Sequence, residues 1–346
     1  MVSVANQITE GGIDAKRLGQ EKSGDSSLAR LASLGEGDTV RVRLQRFDPT
    51  RDEAPYMESY EVPYSKLMRV LDVLNYIAED LEEDLAYRWY CGVKKCGACA
   101  VRVNGREVLS CWEAAEPDMV IEPLRHAPVI RDTVVDRAPH EERIKCMSPW
   151  LERAEPYPGF PERLSHRDMG GVVHALNCLS CMCCSSACPV LDLGDETNFS
   201  GPAPLVQFAQ QALDPRDAMD RGRIALDEGS VFDCVSCYRC EEACPVGIPI
   251  VSAIIEPLKA MAYRSMPARA GHVGAFLDVI EGRGRIDPSA LVLKAQGWSV
   301  LLRSPGRTLR LLVRGKIDPL KTFFGGAAKG IAEVRRLFDG TRDWKP

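Results

Sequence analysis

Most signatures of a substrate-converting enzyme are missing from these 346 residues. No G-x-G-x-x-G follows a strand pattern, which excludes the usual dinucleotide site. Neither a P-loop nor a G-x-S-x-G occurs, so nucleotide hydrolysis and serine-hydrolase chemistry have no carrier. No run approaches the roughly 20 apolar residues of a membrane-spanning helix. The opening MVSVANQITEGG lacks an apolar signal core, so the expected setting is cytoplasmic, where thiols stay reduced. A net charge of −5 gives no global field for nucleic acid, and none is expected as a partner. The five histidines (His126, His140, His166, His174, His272) show no metal-ligand spacing. Bond-making chemistry is therefore expected on another chain or cofactor.

Cysteine is what the chain has in excess, with 14 residues. In a long chain without a signal core, clustered thiols bind metal more often than they form bridges. Cys91, Cys96, Cys99 and Cys111 read C-x4-C-x2-C-x11-C, and the first three match plant-type [2Fe–2S] spacing. A four-thiolate cluster needs a tightly wrapped loop whose N–H groups face the sulfurs. Gly92 and Gly97 give that loop its freedom, and Ala98 and Ala100 are small enough to let it close. A structural zinc site, the competing reading, usually comes as two CxxC pairs.

Two later segments repeat each other: CLSCMCCSSACP at 178–189 and CVSCYRCEEACP at 234–245. The second matches the bacterial ferredoxin run C-x2-C-x2-C-x3-C-P residue for residue, and the first matches it with Cys183 extra. In two-cluster ferredoxins the fourth cysteine of each run ligates the other cluster. The expected sets are Cys178, Cys181, Cys184 and Cys244 for one [4Fe–4S] cluster, and Cys188, Cys234, Cys237 and Cys240 for the other. Cys183 stands where the second run has Arg239 and reads as a buried spectator. Cys146, alone between the motifs, likewise reads as a spectator.

The expected fold is α+β. Residues 1–36 read as a flexible arm. Residues 37–143 should form a β-grasp plant-type [2Fe–2S] ferredoxin domain. In it Val40, Val42 and Leu44 alternate with polar neighbours as a strand. Leu67, Val70, Leu71, Leu74, Ile77, Ala78, Leu81 and Leu85 predict an amphipathic helix over 65–86, with Ser65 as its N-cap. Val101 and Val103, the turn Asn104-Gly105, then Val108 and Leu109 predict a hairpin. Residues 144–164 read as a linker, and 165–264 as an all-α bacterial-type two-cluster ferredoxin domain. Residues 265–346 are a basic helical extension, with 15 Lys and Arg against 7 Asp and Glu. That extension reads equally as a surface for anionic lipid or a partner and as a solvated basic face.

This order of motifs resembles the iron–sulfur subunit of succinate dehydrogenase and fumarate reductase, over about residues 38–260. The likeness includes VLDVLNYI (70–77), AYRWYCGVKKCGACAVRVNG (86–105), PLRHAPVIRDTVVD (123–136), CLSCMCCSSACP and FSGPAPLVQ (199–207). It implies a partner flavoprotein carrying FAD, with electrons passing singly along the clusters to a membrane quinone or another acceptor. It places the [2Fe–2S] cluster nearest the flavin and the Cys188/Cys234/Cys237/Cys240 site at the far end. It also implies a peripheral position on the cytoplasmic face of the inner membrane, beside a membrane-anchor or cysteine-rich acceptor subunit.

Three departures stand out. The usual family member has no cysteine where Cys237 stands and builds [3Fe–4S] there. Four thiolates here predict [4Fe–4S], with [3Fe–4S] as the alternative. The family's quinone site has a Trp after the first Cys-Pro and a His after the first cysteine of the second run. Here VLDLGDETNF (190–199) holds no Trp, and Val235 follows Cys234. Finally, FLDVIEGRGRIDP (276–288) and KGIAEVRRLF (329–338) resemble iron–sulfur subunits of heterodisulfide-reductase-like complexes. A relay subunit of such a complex, or of another flavin-linked oxidoreductase, is the alternative reading. Lys94 and Lys95 either raise the [2Fe–2S] potential, meet an acidic flavoprotein surface or are simply solvated. Arg88 is expected near the cluster or against a helix carboxylate, and Trp89 and Tyr90 are expected to pack.

Overall fold

The computed structural model describes residues 35, 37–82, 84–166, 168–297, 305–306, 310, 313–315 and 326–341. All of the predicted 1–36 arm except residue 35, and much of the extension between 298 and 325, lie outside the described residues. The chain divides into two compact units. One runs through Met219 and resumes at Ile224–Leu258; the other takes Asp220–Arg223 and everything from Lys259 onward. Both cysteine-bearing halves lie within the first unit.

That unit opens on a five-stranded mixed sheet. Strands β1 (Thr39–Arg46), β2 (Tyr56–Pro63), β3 (Ala100–Val103), β4 (Arg106–Leu109) and β5 (Asp118–Glu122) lie in the order β2-β1-β5-β3-β4. β1 pairs antiparallel with β2 and parallel with β5, while β3 pairs antiparallel with β4 and β5. The alternation in TVRVRLQR sends Val40, Val42 and Leu44 into the core, because strand side chains point to opposite faces in turn. The same period buries Arg46, whose charge then needs partners. Asn104 and Gly105, at φ +50° and +77°, make the predicted hairpin turn.

The predicted 65–86 helix is much shorter. Helix α1 spans Val70–Tyr76 and runs into a π-helical turn at Ile77–Leu81. Arg69, not Ser65, is the N-cap, and its N–H donates to the Asp72 carboxylate at 2.7 Å. Leu67 sits at φ +65° and is exposed, and Leu85 is buried but outside the helix. Tertiary pairing overrides the periodicity. Met68 O accepts from Ala115 N–H, while Val70 and Leu71 N–H donate to Glu113 and Ser110 carbonyls. The backbone just before and at the start of the helix is thereby committed to the segment that carries Cys111. Val70, Val73, Leu74 and Ile77 still pack under the sheet, each contributing roughly 1.5–3 kcal/mol at full burial.

A small hairpin, β6 (Val129–Arg131) and β7 (Val134–Val135), follows. At its tip Asp132 accepts from Arg46 Nε, Phe47 N–H and Ala86 N–H at 3.0, 3.0 and 2.8 Å. Thr133 donates to the Ala86 carbonyl. The stretch of chain that leads into Cys91 is thus tied to β1 through one buried carboxylate.

The rest of the first unit is mainly helical: α2 (Ala138–Cys146), α3 (Gly170–Leu176), α4 (Cys183–Ser186), α5 (Pro202–Ala212), α6 (Arg221–Asp227, whose first three residues count with the second unit) and α7 (Arg239–Glu242). A π-helical turn at Ile250–Ile255 leads into α8 (Glu256–Ser265), which passes into the second unit at Lys259. α5 is the hub, packed against α2, α3, α4 and the Ile250 turn. Pro202 at its first turn suits a position whose N–H is orphaned anyway. Ala203, Leu205, Val206, Phe208 and Ala209 are all buried on it. In the second unit α9 (Gly271–Arg283) packs on α10 (Pro288–Gln296) and α11 (Ile331–Thr341). Asp287 caps α10 by accepting from Ser289 and Ala290 N–H. Among the described residues no helix is long and apolar enough to cross a membrane.

Candidate cluster-binding site

The Cys91 loop is irregular from Leu85 to Cys99, and Gly92 and Gly97 hold it at φ +67° and +70°. Its N–H groups turn inward, as a bound anionic sulfur requires. Val93, Lys95 and Cys96 donate to Cys91 Sγ at 3.4, 3.3 and 3.3 Å. Lys94 N–H donates to Cys111 Sγ at 3.4 Å. The donors lower the Cys91 thiol to about 7, whereas burial pushes Cys111 up to about 11. The charges of Cys99 and Cys91 bear on Cys111, so the loop and the far end of the hairpin converge on one point.

The two helical motifs repeat in conformation as well as in sequence. Ser180 and Ser236 both take φ +51°, and Met182 and Tyr238 take φ +68° and +64° as N-caps of α4 and α7. Non-glycine residues rarely adopt φ > 0. The same two left-handed steps in each motif mark one loop built twice. Ser180 N–H donates to Cys178 Sγ and Ser236 N–H to Cys234 Sγ, each at 3.4 Å. Cys188 comes in from the end of the first motif beside Cys234, Cys237 and Cys240, whose charges act on one another. Cys244 comes in from the second beside Cys178 and Cys181, and Cys184 feels all three and Cys240 as well. Burial pushes Cys240 up to about 12 and raises Cys184 well above a free thiol.

Among the described residues no three His, Cys, Asp or Glu side chains are arranged to hold a single metal ion. A cluster spreads its thiolates wider than one ion does, because bridging sulfides and further irons stand between them. The donor set fits such a group. Burial by itself would keep Cys111, Cys184 and Cys240 protonated. Bound iron would supply the positive potential that a thiolate needs there, with the Lys94 N–H adding to it at Cys111.

Outside the ligand sets, Cys183 is fully buried in one apolar cluster with Leu71, Cys99, Leu109, Cys111 and Cys181. Cys146 ends α2 and is exposed. Arg88 donates to the Val135 carbonyl, not to a carboxylate or the loop. Trp89 and Tyr90 are exposed rather than packed, at 50% and 83%. The Lys94 ammonium lies 5.5 Å from the Trp112 ring, with Arg69 at the same distance. Arg137, which carried no sequence signal, donates to the Ser180 carbonyl at 2.7 Å. The two serines did carry one, since C-x-S-C recurs in both motifs.

A mixed sheet bearing one thiol loop, joined to helices bearing a doubled thiol loop, defines a class: iron–sulfur proteins that combine a plant-type and a two-cluster ferredoxin fold. Residues 41–142 match the 2Fe-2S iron-sulfur cluster binding domain, and residues 174–248 match the 4Fe-4S dicluster domain. The fumarate reductase iron-sulfur subunit of Mycobacterium tuberculosis is 32% identical over 63% of this chain and 90% of its own length. A fumarate reductase (CoM/CoB) subunit from Methanothermobacter marburgensis is 32% identical over 81% of this chain and 51% of its own length. The chain spans about half the length of that relative. In the Mycobacterium smegmatis Sdh1 complex in the apo form, one chain superposes with a TM-score of 0.62 at 27% identity, covering 66% of this chain and 97% of that one. The chain belongs to the succinate dehydrogenase/fumarate reductase iron–sulfur subunit family.

Proposed function

We propose that this chain is the electron-transfer subunit of a succinate dehydrogenase/fumarate reductase-type complex. It relays single electrons between a flavoprotein subunit carrying FAD and a quinone or other acceptor module. The observation that carries this reading is the buried cluster in which Cys99 of the first loop and Cys111 from the end of its hairpin meet Cys181 of the second loop. Two thiol sites packed into one buried group suit a relay, because a single electron then has only a short way to pass.

Cys91, Cys96, Cys99 and Cys111 hold one [2Fe–2S] cluster in this reading. Cys178, Cys181, Cys184 and Cys244 hold one [4Fe–4S] cluster, and Cys188, Cys234, Cys237 and Cys240 hold a second. When bound, each cluster takes up and gives up one electron. The chain's own work is to position them, to aim N–H groups at the sulfurs and to keep water from Cys99, Cys111, Cys184 and Cys240. No group that handles substrate is needed on this chain. The complex sits on the cytoplasmic face of the inner membrane, against an anchor or a cysteine-rich acceptor subunit.

The test is fumarate-dependent oxidation of a reduced viologen by the native complex, drawn out anaerobically through this chain. Robust turnover supports the succinate/fumarate assignment. No turnover, with clusters intact and a flavoprotein present, refutes that substrate and leaves the relay.

One observation favours a second reading of the partner. The match to the fumarate reductase (CoM/CoB) subunit covers 81% of the chain, against 63% for the Mycobacterium tuberculosis subunit. Val235 after Cys234, and the lack of Trp in 190–199, fit poorly with the family's quinone site. A thiol-linked exchange partner of the heterodisulfide-reductase-like kind accounts for both.

A further inference from the structure

Gly97 lies between Cys96 and Cys99 and faces the first helical motif. A β-carbon built on it would overlap the Leu179 carbonyl oxygen and stand 3.0 Å from the Cys181 β-carbon and 3.2 Å from its Cα. Those are backbone atoms and a short side-chain stem, so nothing there can rotate away. Gly92, five residues earlier in the same loop, has nearly the same left-handed φ and nothing within 4 Å of its missing β-carbon. Backbone conformation accounts for glycine at both positions. Only at Gly97 does the space beside the chain also demand it.

The opposing backbone is held in place. Arg137 donates to the Ser180 carbonyl at 2.7 Å, and Gln207 Nε2 donates to Ser180 Oγ at 2.8 Å. Leu179 packs against the buried group of Cys99, Cys111, Cys181 and Cys183. A cavity of only about 20 Å³, lined by Gly97, Ala98, Ala100, Arg137, Cys181 and Met182 among others, remains beside the contact. The two loops therefore meet backbone to backbone with almost no space between them.

We propose that Gly97 is a positioning residue: by having no side chain it seats the [2Fe–2S] loop on the Leu179–Cys181 backbone and fixes the spacing of the first two clusters. This rests on the ligand sets proposed above. Any side chain at 97 pushes the loops apart by the width of a methyl group and lengthens the path between Cys99 and Cys181. Arg137 acts from the opposite side, by keeping the 179–181 backbone against Gly97.

The test compares full-length wild type, Gly97→Ala and Gly92→Ala, purified anaerobically and reduced with dithionite. Iron and sulfide content is measured on each, followed by microwave power saturation of the [2Fe–2S] electron paramagnetic resonance signal. A nearby second paramagnet speeds relaxation steeply with proximity, so the signal saturates at lower power as the clusters separate. Gly92→Ala carries the backbone strain alone, and Gly97→Ala should saturate at lower power than it does. Equal saturation in the two variants overturns the proposal. Wild type without clusters refutes the ligand reading instead, which keeps the two failures apart. Should Gly97→Ala fail to load its clusters, Arg137→Ala takes its place. It frees the 179–181 backbone and should also lower the saturating power, and a wild-type curve for it overturns the proposal.

Discussion

Replacing Arg46 with Met should loosen the approach to the Cys91 loop. The guanidinium is 5% exposed and donates to Asp132, Glu58, Tyr60 and Asp84, the first through Nε at 3.0 Å. Asp132 is 2% exposed and also accepts the Phe47 and Ala86 amides. Methionine fills much of the arginine stem's volume, so the loss is mostly electrostatic. Removing one partner of a buried ion pair costs about 3–5 kcal/mol, because the other charge stays buried. Here Asp132 keeps two amide donors and the Arg131 guanidinium at 3.8 Å, which places the loss at the bottom of that range, ~3 kcal/mol at most. The chain is not expected to unfold as one unit, so a global midpoint is the wrong measurement. Amide hydrogen exchange reports the local opening directly. A loss of ~3 kcal/mol corresponds to roughly a hundredfold faster exchange at Phe47 and Ala86, if opening is local there. Val40 and Val42 in the middle of β1 should change far less. Exchange at Phe47 and Ala86 within about fivefold of wild type would refute the buried-pair reasoning.

Two further outcomes follow from single side chains. His140 is buried on α2 with no hydrogen-bond partner for Nε2, and burial, with Arg137 and Arg143 nearby, lowers it to about 4. Its folded value lies below the unfolded ~6.5, so the unfolded chain binds the proton first as pH falls. Stability should be complete above about pH 6.5 and fall by ~2 kcal/mol at pH 5 through this group. His140→Leu should remove that slope from α2 amide exchange, and an unchanged slope would point to another group. Cys237→Ser should give a [3Fe–4S] signal in the oxidised protein, since one thiolate of the proposed set is lost. A stoichiometric [3Fe–4S] signal already present in anaerobic wild type would count against Cys237 as a ligand.

Local chemistry was enough to read several features from the chain. The C-x4-C-x2-C and doubled C-x2-C-x2-C-x3-C-P spacings encode loops that close on themselves, so no distant contact is needed to recognise them. The β1 alternation and the Asn104-Gly105 turn are equally local. Helix 65–86 was not readable in this way. Its apolar period is genuine, but Met68, Val70 and Leu71 spend their backbone bonds on residues 110–115, and Leu67 turns left-handed. Periodicity reports which face is apolar and cannot report a competing partner forty residues away.

The sequence by itself determined where the cysteines fall, in the spacing of cluster-binding loops, and that two of those loops repeat. Thiol type and spacing are written in the chain. Only the tertiary structure decided how the loops meet. Arg137 reaching Ser180, Asp132 joining β1 to Ala86, and Gly97 lying against Leu179 all link residues more than 40 positions apart. Such contacts depend on how sheet and helices pack together, and no short window of sequence carries that packing.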